Sequence, residues 1–266
     1  MSSRVRSPRR GFTLSGLLVT LALLVVLLGL LLPAVQKVRQ AADRIKCANN
    51  LKQIVLGCHN CHDAFGRFPP TVGPYGKANS DGTLQFYLLP FLEQDAVHNL
   101  ADDGAGNISV WNKNVYSVNI PVFHCPNDPS GGPTHLYDSW LATTNYASNF
   151  LVFTLAGATF ADITDGTSNT MFFAERYQIC NQTPCAWAYN VESEWAPMFA
   201  HSNIGKFQLQ PSQVQCNPAL TQAIHPGAIQ VGMGDGSVRL VTSSISPQTW
   251  YYACCPNDGM VLGPDW

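Results

Sequence analysis

Cys58-His59-Asn60-Cys61-His62 sets two thiols three residues apart with a histidine directly after the second. That is the C-x-x-C-H spacing of covalent haem attachment, in which Cys58 and Cys61 would form the thioethers and His62 would bind the iron. The same spacing also puts two small apolar side chains on one face of a helix. A haem needs a pocket, and this run closes a helix expected to pack on a folded domain, so packing is the expected role.

Other groups invite other chemistry. Cys180 and Cys185 bracket the short turn Asn181-Gln182-Thr183-Pro184, which one disulfide would close. Cys125, Cys216, Cys254 and Cys255 offer further pairings that the sequence does not resolve. With nine cysteines, at least one is free or bridges two chains. His225 and Asp235 resemble an acid–base pair, but one extended strand between them would hold them roughly 30 Å apart. Asp162, Asp165, Thr167, Asn169 and Glu175 form the densest oxygen-rich cluster. Oxygen ligands suit calcium, with Asp162, Asp165 and Asn169 as its candidates. The spacing is not that of an EF-hand loop, and a hydrogen-bonded Asp-Gly turn is the expected role. No nucleophile elbow, phosphate loop or His-Glu-x-x-His run is present, so no catalytic residue and no resident cofactor is expected.

The elements that must position these residues begin with Phe12 to Leu32, 21 residues without a charge. That length crosses a bilayer as a helix. It exceeds a secretory signal core, and no small-x-small cleavage site follows it. Arg4, Arg6, Arg9 and Arg10 precede it with no acid, which holds that end in the cytoplasm. After Pro33 the apolar positions Val35, Val38, Ala42, Ile45, Leu51, Val55 and Cys58 recur mostly every three or four residues, predicting an amphipathic continuation over 33–64. The whole rod would be roughly 80 Å long. Gly66 and Pro69-Pro70 end it.

The remainder, 65–266, is large enough for one sizeable core. Short apolar runs punctuated by Gly, Pro, Asn and Asp predict strands and short helices joined by long loops. "AIQVGMGDGSVRLV" is the strongest element, a hairpin turning at Gly234-Asp235-Gly236. The formal net charge is −2. Residues 33–64 carry +3 and 65–266 carry −9, so the basic neck lies beside the apolar segment and the folded domain is acidic. That polarity suits lipid headgroups and argues against nucleic-acid binding.

The Gly11-Phe12 boundary, with basic residues before it and an unbroken apolar run after it, resembles the processing site of type IV prepilins and type II secretion pseudopilins. The resemblance implies cleavage after Gly11 by a prepilin peptidase and methylation of Phe12. It also places Pro33 at the twenty-second mature position, where such proteins often carry proline. Gly16 departs from it, standing where the family places Glu. Further on, His225, nine residues, then Asp235-Gly236 resembles the motif of a bacterial family that joins a prepilin-type segment to a domain of unknown function. "NNLKQIVLGCHNCHDAFGRFPP", "LLPFLEQ", "FHCPNDP" and "DITDGTSNT" look like segments of that family in order.

These resemblances imply an α+β protein in which a long pilin-like N-terminal helix, its first half in the membrane, packs on a mainly antiparallel β head with long loops. The parts are a leader 1–11, a transmembrane helix 12–32, its continuation 33–64 and an exoplasmic head 65–266. The expected product is a non-enzymatic, single-pass inner-membrane protein with a cytoplasmic N-terminus and a periplasmic or extracellular head. Its partners would be lipid, the peptidase, and other pseudopilin subunits or secretion machinery. The alternatives are an anchored haem redox protein and a surface glycan-binding module using exposed tryptophans.

Overall fold

The computed structural model describes residues 14–76, 80–154 and 157–266. Gly11 and Phe12, the expected processing site, lie outside them. The chain divides into two units, Met1–Ala42 and Asp43–Trp266.

Helix α1 runs from Leu14 to Phe65 without interruption at Pro33. From Leu14 to Ile45 its large apolar side chains are all exposed, and its mean hydropathy reaches 2.9 over an 18-residue window. Water does not tolerate that much contiguous apolar surface. By length and composition this helix can cross a membrane.

The amphipathic stretch starts later than its periodicity predicts. Val35, Val38 and Ile45 are exposed, and burial begins at Cys47. From there Cys47, Leu51, Ile54, Val55, Cys58 and Cys61 form one buried stripe, the pattern of a helix face turned to a core. The compact unit that holds the head therefore starts at Asp43, not at Phe65. Gly66 ends the helix as expected: its φ is +71°, and its N–H returns to the His62 carbonyl at 2.7 Å.

The stripe packs on a five-stranded sheet. Its strands are β1 (Tyr146–Asn149), β2 (Met171–Glu175), β3 (Met198–Phe199), β4 (Ala228–Met233) and β5 (Val238–Thr242). The spatial order is β3-β1-β2-β4-β5. Only β3 lies parallel to its neighbour; the other pairs are antiparallel. Tyr146 and Phe173 join the core cluster that contains the α1 stripe. On the other side Ala147, Ala174, Ile229 and Val231 pack with Trp250 of helix α2 (Pro247–Cys254). The fold is α+β, with a predominantly antiparallel head.

Gly232 lets the sheet approach the helix closely. A Cβ there would stand 2.7 Å from Val55 Cγ2 and 3.7 Å from Leu51 Cδ2. The predicted hairpin is present, with Gly232 opposite Val238 and Gly236 at φ +83° in the turn.

Candidate functional site

The two ends of the His225-to-Gly236 segment are both fastened to α1. At the turn, Lys52 Nζ donates to the Gly236 carbonyl at 2.6 Å. His59 Nε2, about two turns further along the helix, lies 2.8 Å from the Gly234 carbonyl. Asp235 does not reach His225. Its carboxylate accepts from the Ser237 N–H at 2.8 Å, which fixes the turn as an Asx motif. Its own N–H goes to the Thr167 carbonyl.

At the other end His225, 1% exposed, sits in a buried polar centre. Its Nε2 lies 3.2 Å from Glu175 Oε1 and 3.6 Å from Cys125 Sγ. The Glu175 contact is within ion-pair distance, and among the described residues Oε1 has no other polar partner. The other oxygen accepts from the Gln230 N–H at 3.0 Å. Burial raises the Glu175 pKa above the usual carboxylate value, opposed by His225 and by neighbouring backbone N–H groups. Asn127 Nδ2 faces His225 Nδ1 at 3.4 Å. Cys125 is in turn bonded to Cys47 of α1 as a disulfide. Among the described residues, Cys47, Cys125, Glu175 and His225 are the group of His, Cys, Asp and Glu side chains whose ligand atoms converge, all within 4.8 Å of one another.

A hydrogen-bond hub supports this centre. Asn145 Oδ1 accepts from the Cys125 N–H and from Gln178 Nε2. Its Nδ2 donates to Asp128 Oδ2 at 2.7 Å and to the Arg176 carbonyl. Asp128 also caps the Gln178 N–H and Ser130. Arg176, 1% exposed, has no carboxylate partner among the described residues. Its guanidinium instead donates to the carbonyls of Ala196, Met198, Glu194 and Pro218 at 2.6–3.1 Å. It thereby ties β2 to the loop that carries β3.

The other expected groups are placed differently. Cys180 pairs with Cys216, and Cys185 is a buried free thiol, so the expected Cys180–Cys185 bridge is replaced. The reason is register. Cys180 stands opposite Thr183 in a short hairpin, while the Cys185 N–H bonds the Gln178 carbonyl. That leaves the two cysteines diagonal neighbours about 7–8 Å apart, beyond the Cβ separation a disulfide accepts.

Cys58, Cys61 and His62 do not fit a covalent haem. Both thiols have no exposed surface, and burial pushes Cys61 up to about 11 and Cys58 well above the usual thiol value. The His62 ring is packed against Phe68 and Phe160. The calcium candidates are engaged by their own backbone. Asp162 forms a capping box with Thr159. Both carboxylate oxygens of Asp165 accept N–H groups, from Asp258 and Gly259, and Asn169 Nδ2 donates to the Asp165 carbonyl. Asp165 thereby anchors the C-terminal loop. Glu175, grouped with them in the sequence, instead faces His225.

A family model described as a protein of unknown function, DUF1559, matches residues 36–248. A second, described as a prokaryotic N-terminal methylation motif, matches residues 6–32. The chain belongs to the DUF1559 family. No curated protein and no solved structure matches it significantly. The DUF1559 span covers Cys47, Cys125, Glu175, Arg176 and the His225-to-Gly236 segment. Within it, the His225-to-Gly236 segment is a strand held to the helix at both ends. The methylation motif precedes Pro33 and covers most of the apolar helix that anchors this DUF1559 protein in a membrane. It implies processing by a prepilin peptidase.

His124, beside Cys125 in the DUF1559 segment, gives the head an acid-sensitive element. It stacks on His135 with ring centroids 4.0 Å apart. Burial, reinforced by the charge of His135, depresses its pKa to about 3. Unfolded, it protonates near 6.5. Between those values the unfolded chain holds the extra proton, so this contribution to stability is complete above about 6.5 and is lost as pH falls toward 3. Neither ring nitrogen has a hydrogen-bond partner, so His124→Phe removes the titration without breaking a bond. The urea midpoint of the variant should depend less on pH in that window, by up to ~1.4 kcal/mol per pH unit. An unchanged slope would assign the acid limb to other groups.

Proposed function

We propose that this protein is a non-enzymatic, pseudopilin-like subunit of the inner membrane whose head is carried outside the cytoplasm. The leader is cut after Gly11, Phe12 is methylated, and the arginine-rich end lies on the cytoplasmic side. The supporting observation is the continuity of the methylation motif with a helix whose apolar side chains are exposed as far as Ile45. Such a surface is stable only in lipid or against other helices. The acidic head, clamped to the helix, presents loops to other pseudopilin subunits, secretion machinery or cargo. Gly16 removes the carboxylate that would meet a neighbouring subunit's amino terminus, so lateral packing rests on apolar contact. Mass spectrometry of the N-terminus of membrane-extracted protein should find methyl-Phe12. An intact Met1 or a terminus at Ala34 would refute the processing.

One observation favours a second use of the same head, as a glycan-binding surface. Trp140, Tyr116, Trp111, Tyr189, Trp195 and Tyr137 form an unbroken chain of ring contacts with centroids 5.2–6.1 Å apart. Trp111 and Trp140 are exposed and the others half-buried. The rings meet edge to face or tilted, and the exposed Trp111 and Trp140 of such a cluster offer amphipathic ring surface on which a sugar can stack. Binding on a glycan array, lost in Trp111→Ala and Trp140→Ala with the fold intact, would establish it; an array blank for the wild type would remove it.

A further inference from the structure

We propose that Cys47, Cys125, His225 and Glu175 form a zinc site in the reduced chain, so that the junction of helix and head has two alternative fasteners, a disulfide or a metal. Tetrahedral zinc takes thiolate sulfur at about 2.3 Å and nitrogen or oxygen at about 2.0–2.1 Å. Those radii require a nitrogen–oxygen edge of about 3.3 Å and a sulfur–nitrogen edge of about 3.6 Å. The structure gives 3.2 Å from His225 Nε2 to Glu175 Oε1 and 3.6 Å from His225 Nε2 to Cys125 Sγ. Two edges of the tetrahedron are already in place. The sulfurs must separate to about 3.8 Å, which rotation about the cysteine Cα–Cβ bonds can supply.

Two further observations point to a ligand. Glu175 Oε1 is buried and, among the described residues, its one polar neighbour is the candidate ligand His225 Nε2, while its other oxygen is held by the Gln230 N–H, so a fixed carboxylate turns that oxygen toward the centre. Asn127 lies behind His225 at Nδ1, the place of an outer partner that orients a ligating imidazole. In the metal-bound state the His225 proton sits on Nδ1, and Asn127 presents its amide oxygen to it. Sulfur and nitrogen donors with one carboxylate and a four-coordinate geometry select zinc over the hard cations. The chemistry balances. A dithiol reductant gives two electrons and two protons to the Cys47–Cys125 bond and itself closes to a disulfide. Zn²⁺ then displaces both thiol protons to solvent.

The test uses the full-length chain in detergent, either oxidised or reduced with dithiothreitol and desalted without oxygen, titrated with Zn²⁺ and separately with Co²⁺. The reduced chain should bind one zinc in this site, with a rise in melting temperature that the oxidised chain lacks. Cobalt should show tetrahedral visible bands and charge-transfer intensity for two thiolates. Glu175→Gln and His225→Asn should weaken zinc at least about tenfold, and Cys47→Ser should halve the charge-transfer intensity even where the histidine variant fails to fold. A reduced wild type with no zinc-dependent rise in melting temperature overturns the proposal. So does a rise that persists unchanged in Glu175→Gln with the wild-type cobalt spectrum, because the metal would then be on other thiols, those of Cys180 and Cys216 freed by reduction or of Cys58, Cys61, Cys185, Cys254 and Cys255.

Discussion

Arg176→Ala should leave almost no folded head. Four carbonyls, of Ala196, Met198, Glu194 and Pro218, share this one guanidinium. The Ala196 carbonyl keeps the Met198 N–H; each of the other three acceptors left unpaired costs about 1–3 kcal/mol, a combined loss of about 3–9 kcal/mol that reaches the exceptional range for a single substitution. That is as large as the whole stability of many domains. Arg176→Lys keeps the charge but replaces a planar fork with a single ammonium carrying three donors. It should unfold at clearly lower urea than the wild type while still forming the head. The measurement is the urea transition of the detergent-solubilised protein, followed by near-UV circular dichroism of the buried Trp187 and Trp250. If Arg176→Ala unfolds within about 1 kcal/mol of the wild type, water rather than protein satisfies those carbonyls.

Removing the Cys47–Cys125 bridge comes second in size. It closes a span of 78 residues, and chain-entropy arguments assign a loop of that length about 4–5 kcal/mol. The Cys180–Cys216 bridge closes only 36, worth about 4 kcal/mol on the same basis. The double variant Cys47→Ala/Cys125→Ala avoids a stray thiol beside His225. Its melting temperature should fall by about 8–20 °C without loss of the helix contact, because Lys52 and His59 still hold the turn at Gly236 and Gly234. A shift of under about 3 °C would mean that the unfolded chain is already held compact there.

How legible these features were depended on whether their cause was local. The helix end at Gly66 and the Gly234-Asp235-Gly236 hairpin follow from positive-φ glycines and periodicity within a few residues, and both stand as read. The His225-to-Asp235 spacing correctly excluded a dyad, because a strand separates its ends. The start of the amphipathic face was misplaced. Val35, Val38 and Ile45 have helical periodicity, but only from Cys47 onward is there a sheet to pack against. The Cys180–Cys185 bridge failed on register, which two residues of hairpin offset decide.

The polar centre was the least visible. Glu175 and Arg176 are adjacent, and alternation along a strand would expose one of them, yet both are buried because each finds partners far away in sequence. Cys47 was hidden within a helical pattern. The one available signal was that "FHCPNDP", "FFAERY" and "AIHPG" each carry polar residues embedded among apolar ones, which a core admits only when they pair.

The bridge at Cys47 also decides how tension reaches the head. A pull along the anchoring helix enters the folded domain through the sulfur link at Cys47, before it can reach the peptide connection at Phe65. The segment between them is spared that load, and the clasp at Lys52 and His59 cannot be peeled open one contact at a time. Within the compact unit that begins at Asp43, the loops keep their aim for as long as that link holds.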